Sequence, residues 1–228
     1  MKTLVWDFDG TLGHYHGGLW SGIVREILLE ETGQSPPVET IRVHLQDGFP
    51  WNRPMEPHPH LNDPEVWWSA ARGPIAKAIC AGGVEPGRAA QLAPRLREKY
   101  LDPSRWRLFD DALPTLAALS VAGWTHVLLS NHVPELPAIA ASLGVSSHMA
   151  MMFNSAATGY EKPHPQAYAN VRAALPQCET FWMIGDNCDA DVLGAEAAGF
   201  SAILVRRPDP RARRYCEALA QVRGILET

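Results

Sequence analysis

Two aspartates, Asp7 and Asp9, end a short apolar run at residues 3–6 in the motif Asp7-Phe8-Asp9-Gly10-Thr11. In an extended strand the side-chain period of two puts both carboxylates on one side, at the C-terminal end where α/β sheets place their ligands. Carboxylates that close repel each other and coexist around a cation or a shared proton. Gly10 permits a sharp turn away and Thr11 adds a hydroxyl, although an Asp-Gly turn without chemistry has the same look. A second acidic stretch, Gly185-Asp186-Asn187-Cys188-Asp189-Ala190-Asp191, follows another apolar run at 180–184. Its three carboxylates are hard oxygen donors of the kind that hold a divalent cation, Mg²⁺ by default. Acids at a helix start account for Asp189 or Asp191, but less easily for Asp186 at the strand tip. Ser130-Asn131 closes a third run at 125–129 and puts a hydroxyl on the same edge. Lys162, in Gly159-Tyr160-Glu161-Lys162-Pro163, is one of four lysines among 20 basic residues. Lysine delivers a compact point charge where arginine delivers a fork.

Positioning these groups takes a sheet. Short apolar, β-branched runs at 3–6, 125–129, 149–153, 180–184 and 202–205 read as buried parallel strands. Helical patterns at 134–143, 165–175 and 191–198, several opened by Pro and closed by Gly, alternate with them. The fold class is therefore α/β, an open parallel, Rossmann-like sheet. Residues 211–226 read as a closing helix. The stretch 13–107 breaks the rhythm: Leu19, Trp20, Ile23, Val24, Ile27 and Leu28 form a helical stripe closed by Gly33. Residues 66–80 and 87–100 also read as helices, with kinks or breaks expected at Gly73-Pro74 and Pro94. Residues 49–64, rich in Pro, His and Asn, read as a loop. The expected organisation is a core of residues 1–13 and 108–228, interrupted by a helical insertion at 14–107.

With 228 residues, 46% hydrophobic and 20% charged, the chain is globular in composition and can bury its core without metal or disulfide staples. A net charge of −5 gives no global field for nucleic acid or an anionic membrane, so an anionic ligand needs a local site. The four cysteines show no paired spacing, and no apolar run reaches the 18 or so residues of a membrane span. These features lead to the expectation of a soluble cytoplasmic protein. Nothing in the sequence fixes the oligomeric state.

Taken jointly, four strand ends carry an acid pair, a hydroxyl, a lysine and an acid cluster in that order. In this the sequence resembles the haloacid dehalogenase (HAD) superfamily, whose four motifs match Asp7-Phe8-Asp9-Gly10-Thr11, Ser130, Lys162, and Gly185-Asp186 with Asp191. The resemblance covers nearly the whole chain and implies that the insertion is a C1-type helical cap. It further implies a Mg²⁺-dependent phosphatase of small phosphate monoesters, with Asp7 as nucleophile and Asp9 as general acid and base. Asp7, the Asp9 backbone carbonyl and Asp186 would hold the metal, with Asp191 behind them or as an alternate metal group. Ser130 with the Asn131 amide, and Lys162, would grip the phosphoryl group of a small phosphorylated metabolite. Asp189 has no role in this pattern.

The resemblance also sorts the family's branches. Haloacid dehalogenases lack an Asp at the position of Asp9, and the phosphonate-cleaving branch carries a cap lysine that the first insertion helix here lacks. Dehalogenase and sugar phosphomutase remain the alternatives, and a binder without turnover has no feature in its favour. Within the insertion, His14 and His16 either face the substrate or bond in the hinge. Trp20 and Trp67-Trp68 read as packing more than as a stacking platform. His58-Pro59-His60 and the basic run 206–214 read as solvated, and Met149, Met151 and Met152 as strand packing.

Overall fold

The structure, a computed structural model, describes residues 2–227. In chain order its strands are β1 (Lys2–Trp6), β2 (Gly13–Tyr15), β3 (Trp106–Leu108), β4 (Thr125–Ser130), β5 (Met151–Asn154), β6 (Thr180–Gly185), β7 (Ser201–Val205) and β8 (Tyr215–Cys216). Six of them form a parallel sheet in the order β5-β4-β1-β6-β7-β8, while β2 and β3 pair antiparallel as a separate ribbon. Side chains alternate between two apolar layers. Leu4, Trp6, Leu128, Ile184 and Ile203 face one, and Val5, Val127, Leu129, Met183 and Leu204 face the other. Both faces are covered, which is why these strands read as unbroken apolar runs. Truncating fully buried Leu4 to Ala would cost about 2–5 kcal/mol.

Between β2 and β3 run α1 (Leu19–Thr32), α2 (Val38–Arg42), α3 (Pro64–Ala81), α4 (Pro86–Leu92) and α5 (Pro94–Tyr100). The remaining helices are α6 (Ala112–Val121), α7 (Leu136–Ser142), α8 (Ser155–Thr158), α9 (Pro165–Ala174), α10 (Gly194–Ala197) and α11 (Val222–Leu226). Helix α6 packs into the first apolar layer through Ala112, Leu116 and Leu119, and α9 into the second through Ala167, Tyr168 and Val171. Among the described residues no helix is long and apolar enough to cross a membrane.

Several elements differ from the sequence pattern. Pro94 does divide its segment into α4 and α5, but α3 runs through Pro74 unbroken, its buried face of Trp67, Trp68, Ala71, Ile75, Ala78 and Ile79 holding it in place. The expected C-terminal helix at 211–226 is instead β8, paired with β7 at Leu204↔Tyr215, followed by a 3-10 turn and the five-residue α11. Backbone pairing to an open sheet edge wins there over helix propensity. Strand β5 begins at Met151 rather than at 149; Met151 is exposed on the sheet's edge, so it does not pack as expected. Residues 188–193 form a wide π-helical turn before α10.

Candidate active site

Strand β1 has β4 on one side and β6 on the other, the point at which an open parallel sheet leaves a crevice beyond its C-terminal ends. Asp7 extends the ladder by one bond, its N–H donating to the Ile184 carbonyl at 2.9 Å. The chain then reverses, the N–H groups of Thr11, Leu12 and Gly13 all meeting the Phe8 carbonyl. Gly10 sits at φ +78°, and a Cβ there would lie 2.3 Å from Asp186 Oδ2. Any other residue would clash with the acid that must approach β1, so this turn requires glycine.

Buried Asp7 is pinned by two donors. The Ser130 hydroxyl and the Lys162 ammonium both donate to its Oδ1 at 2.8 Å. Lys162 also donates to Asp191 Oδ1 at 2.6 Å, and the Asn187 N–H donates to Asp191 Oδ2 at 3.0 Å. Lys162 is buried: desolvation lowers its pKa, but the Asp191 and Asp7 carboxylates outweigh it and hold the amine above its usual range. The Asn131 side chain clamps the lysine backbone from both sides, donating to the Lys162 carbonyl at 2.7 Å and accepting from its N–H at 2.6 Å. Asp7, Ser130, Asn131, Lys162, Asp186 and Asp191 thus converge on one edge. The Asn131 side chain does so as a support for Lys162.

The acids show a site short of positive charge. Burial, reinforced by Asp7 and Asp186, pushes Asp9 up to about 8. Burial and Asp7 push Asp186 up to about 6 despite Arg207 and Lys162. Burial also raises Asp191 against the pull of Lys162. Carboxyl atoms of Asp7, Asp186 and Asp191 lie within 4.8 Å of one another, and the buried Asp9 Oδ1 has no hydrogen-bond partner among the described residues. Such a set of hard oxygens fits a divalent cation of the Mg²⁺ type. With both Asp191 oxygens engaged by Lys162 and Asn187, that residue acts as a support for the lysine more than as a free ligand. A cavity of ≈ 350 Å³ opens over Asp7, Asp9, Lys162 and Asp186, with His14 and Arg207 at its wall.

Two further groups attend Asp9. His132 Nε2 lies 3.5 Å from Asp9 Oδ2 and 3.3 Å from the Tyr100 hydroxyl, and Tyr100 itself hydrogen-bonds Asp9. His132 Nδ1 meets the Val133 carbonyl at 3.3 Å. A carbonyl only accepts, so Nδ1 carries the proton of the neutral ring and Nε2 presents a lone pair. Burial holds His132 down at about 4, so the ring is neutral at physiological pH. Asp9 therefore sits between a phenol from the insertion and an imidazole from the core, a setting for a carboxyl that gives up and regains a proton. Neither residue stood out in the sequence: Tyr100 carries no motif, and His132 was overshadowed by Ser130-Asn131.

Other expectations need correction. His58 is buried, not solvated, its Nε2 3.1 Å from Glu161 Oε1 beside the lysine motif. The basic run is solvated as expected at Arg207, Arg211, Arg213 and Arg214, and only Arg206 departs from that. Arg206 lies over Phe109 and bonds the Thr11 carbonyl and Asp111, Arg207 reaches Asp186 at 3.2 Å, and Arg211 pairs with Asp189 at 2.6 Å. That last contact gives Asp189 a surface partner. Trp67 and Trp68 are buried, whereas half-buried Trp20 lines a cavity. His14 lies tilted against Phe109 with ring centroids 4.7 Å apart, and His16 is exposed.

A family model described as haloacid dehalogenase-like hydrolase matches residues 1–199. The chain is 27% identical to a bovine (Bos taurus) haloacid dehalogenase-like hydrolase domain-containing protein 3, over 63% of this chain and 57% of that protein. It thus spans little more than half the length of that relative. It is also 27% identical to a phosphoserine phosphatase of Thermus thermophilus, over 91% of this chain and 89% of that one. Among solved structures, L-2-haloacid dehalogenase from Xanthobacter autotrophicus superposes with a TM-score of 0.68 at 22% identity, covering 100% of this chain and 98% of that chain. At that identity the likeness is one of fold.

Proposed function

The chain belongs to the haloacid dehalogenase-like hydrolases, and we propose that within that family it is a Mg²⁺-dependent phosphatase of small phosphate monoesters. The observation that carries this reading is the position of Asp9, two residues beyond Asp7 on the same sheet edge, with His132 Nε2 3.5 Å from its Oδ2 and the Tyr100 hydroxyl close by. A carboxyl so placed can supply the proton an alkoxide leaving group needs. A displaced halide needs none, so the residue would have no task in a dehalogenase.

The Asp7 carboxylate attacks phosphorus and the P–O bond to the leaving group breaks, while the Asp9 carboxyl hands its proton to the departing oxygen. Asp9, now ionised, takes a proton from a water that attacks the aspartyl-phosphate, and Asp7 departs as carboxylate. The Ser130 and Lys162 bonds to Oδ1 fix the rotation of the nucleophile, and Lys162 offsets phosphoryl charge. Mg²⁺ held by Asp7, Asp186 and the Asp9 carbonyl would supply further charge neutralisation that lets a carboxylate approach a phosphate dianion. Residues 14–107 act as the cap that shields this chemistry from bulk water, and a cytoplasmic setting fits a chain in which no disulfide is formed among the described residues.

The test is phosphate release from a panel of monoesters with Mg²⁺ and with EDTA. Metal-dependent release supports the reading. Metal-independent chloride release from a 2-haloacid, or isomerisation of a sugar phosphate without net hydrolysis, would replace it with a dehalogenase or a mutase.

A further inference from the structure

On the insertion side of Asp9 lies a second cavity, of ≈ 300 Å³, which shares Asp9, Leu19 and Asn131 with the one over the carboxylates. The two thus meet at the carboxyl that would protonate the leaving oxygen. This space is placed to take the ester substituent of a phosphoryl group seated over Asp7.

The walls are aromatic and braced. Phe49 and Trp51 lie parallel, 9° apart with centroids at 5.0 Å, and Trp20 meets Phe49 edge-on at 4.8 Å. Trp20 in turn stacks on Trp68 at 5.6 Å, whose indole N–H is held by Glu135. Rings so fixed lose little freedom when a ligand ring is added. Ionised groups are scarce. Among the described residues its ionisable side chains besides the Tyr100 phenol are Arg42, paired with Glu39 at 2.7 Å, the neutral imidazole of His132, and Asp9, which the chemistry occupies. An ammonium group entering here would meet no carboxylate of its own.

We propose that the preferred substrate is a phosphate monoester whose alcohol carries an aromatic or similarly flat apolar ring, received in the cavity that Trp20, Phe49 and Trp51 line. Offset or edge-on packing against those rings supplies selectivity, with Ser21 and Gln46 as the polar contacts available at the rim. This rests on the phosphatase reading and names the substrate class for the same site.

The test compares 2-phenylethyl and ethyl esters, whose alcohols are matched in acidity so that chemistry does not mask binding, with phosphoserine as the amino-acid ester. The panel is 2-phenylethyl phosphate, ethyl phosphate and phosphoserine, assayed with Mg²⁺. Alongside, calorimetry compares the non-hydrolysable 3-phenylpropylphosphonate with propylphosphonate. A phenyl preference of about tenfold or more is expected in both kcat/KM and binding, as is usual for apolar pockets. Trp51→Leu should narrow both ratios. Equal binding of the two phosphonates, or phosphoserine turned over best, would overturn the proposal while leaving the phosphatase standing. No turnover of any ester, with phenyl-selective binding intact, would instead strike the phosphatase and leave the aromatic site.

Discussion

Lys162→Met removes the charge that two buried carboxylates share. The lysine side chain is 2% exposed, between Asp7 at 10% and Asp191 at 1%, with contacts of 2.8 and 2.6 Å. Methionine preserves the volume but leaves both acids without their cation. Breaking a buried pair in this way costs about 3–5 kcal/mol, equivalent to a melting point lower by about 10 °C in a chain of this size. The loss has a direction in pH. Unpaired, Asp191, which burial already raises against the pull of Lys162, takes up a proton more readily when folded than when unfolded. A raised folded pKa contributes stability that is present at low pH and lost as pH rises, so the variant should recover toward wild type as pH is lowered from 7.5 to 5. Asp191→Asn in the same background removes one of the stranded charges and should restore at least about 1 kcal/mol, a coupling typical of residues in contact. Urea unfolding of the four proteins in EDTA, at both pH values, measures all of this. Phosphatase activity should fall about 10²–10³-fold or more in Lys162→Met. A loss below about 1 kcal/mol, or strictly additive effects of the two substitutions, would refute the reasoning.

Other outcomes follow from the same contacts. His126 accepts from the Trp6 indole through Nδ1 at 2.9 Å and bonds Ser120 through Nε2 at 3.1 Å; burial, then His148, lowers its pKa from 6.5 to about 4. A depressed pKa favours the folded state above pH 6.5, so up to about 3 kcal/mol should be lost as pH falls from 6.5 to 4. Chemical denaturation should show that loss in wild type and a flatter profile in His126→Gln. Tyr100→Phe removes a partner of Asp9 and should lower kcat about tenfold with KM nearly unchanged, as steady-state kinetics on a small ester will show. His58→Ala strands buried Glu161 and should destabilise by about 2–3 kcal/mol in urea melts. Mg²⁺ at about 100 times its Kd should add about 2.7 kcal/mol of stability by linkage, an effect that weakens below pH 6, where Asp186 takes up a proton, and vanishes in Asp186→Asn.

The site's framework was legible because its groups sit at the ends of short apolar runs, where strand period and sheet topology dictate a shared edge. Asp7, Asp9 and Asp186 need only local pattern to be placed there, whereas Ser130 and Lys162, the latter beyond α8, were tied to the site by the resemblance to the HAD superfamily. The contacts that tune them are long-range and have no local signature. His58 and Glu161 are 103 positions apart, and each taken alone looks like a surface polar residue. Tyr100 closes a helix whose pattern reports burial but not that its hydroxyl meets Asp9. The basic run 206–214 is solvated apart from Arg206, whose partners Phe109 and Asp111 lie far from it along the chain. The terminal helix was misread for a related reason, since the open edge of β7 that captures Tyr215–Cys216 exists only in the assembled sheet.

The proposed covalent role of Asp7 can be tested directly by acid-quenching the protein during turnover of a phosphate ester with Mg²⁺ and mapping its peptides by mass spectrometry. A phosphoryl group on the peptide holding Asp7, removed by hydroxylamine and absent from Asp7→Asn together with phosphate release, is the expected result. Phosphate release that persists in Asp7→Asn would contradict it.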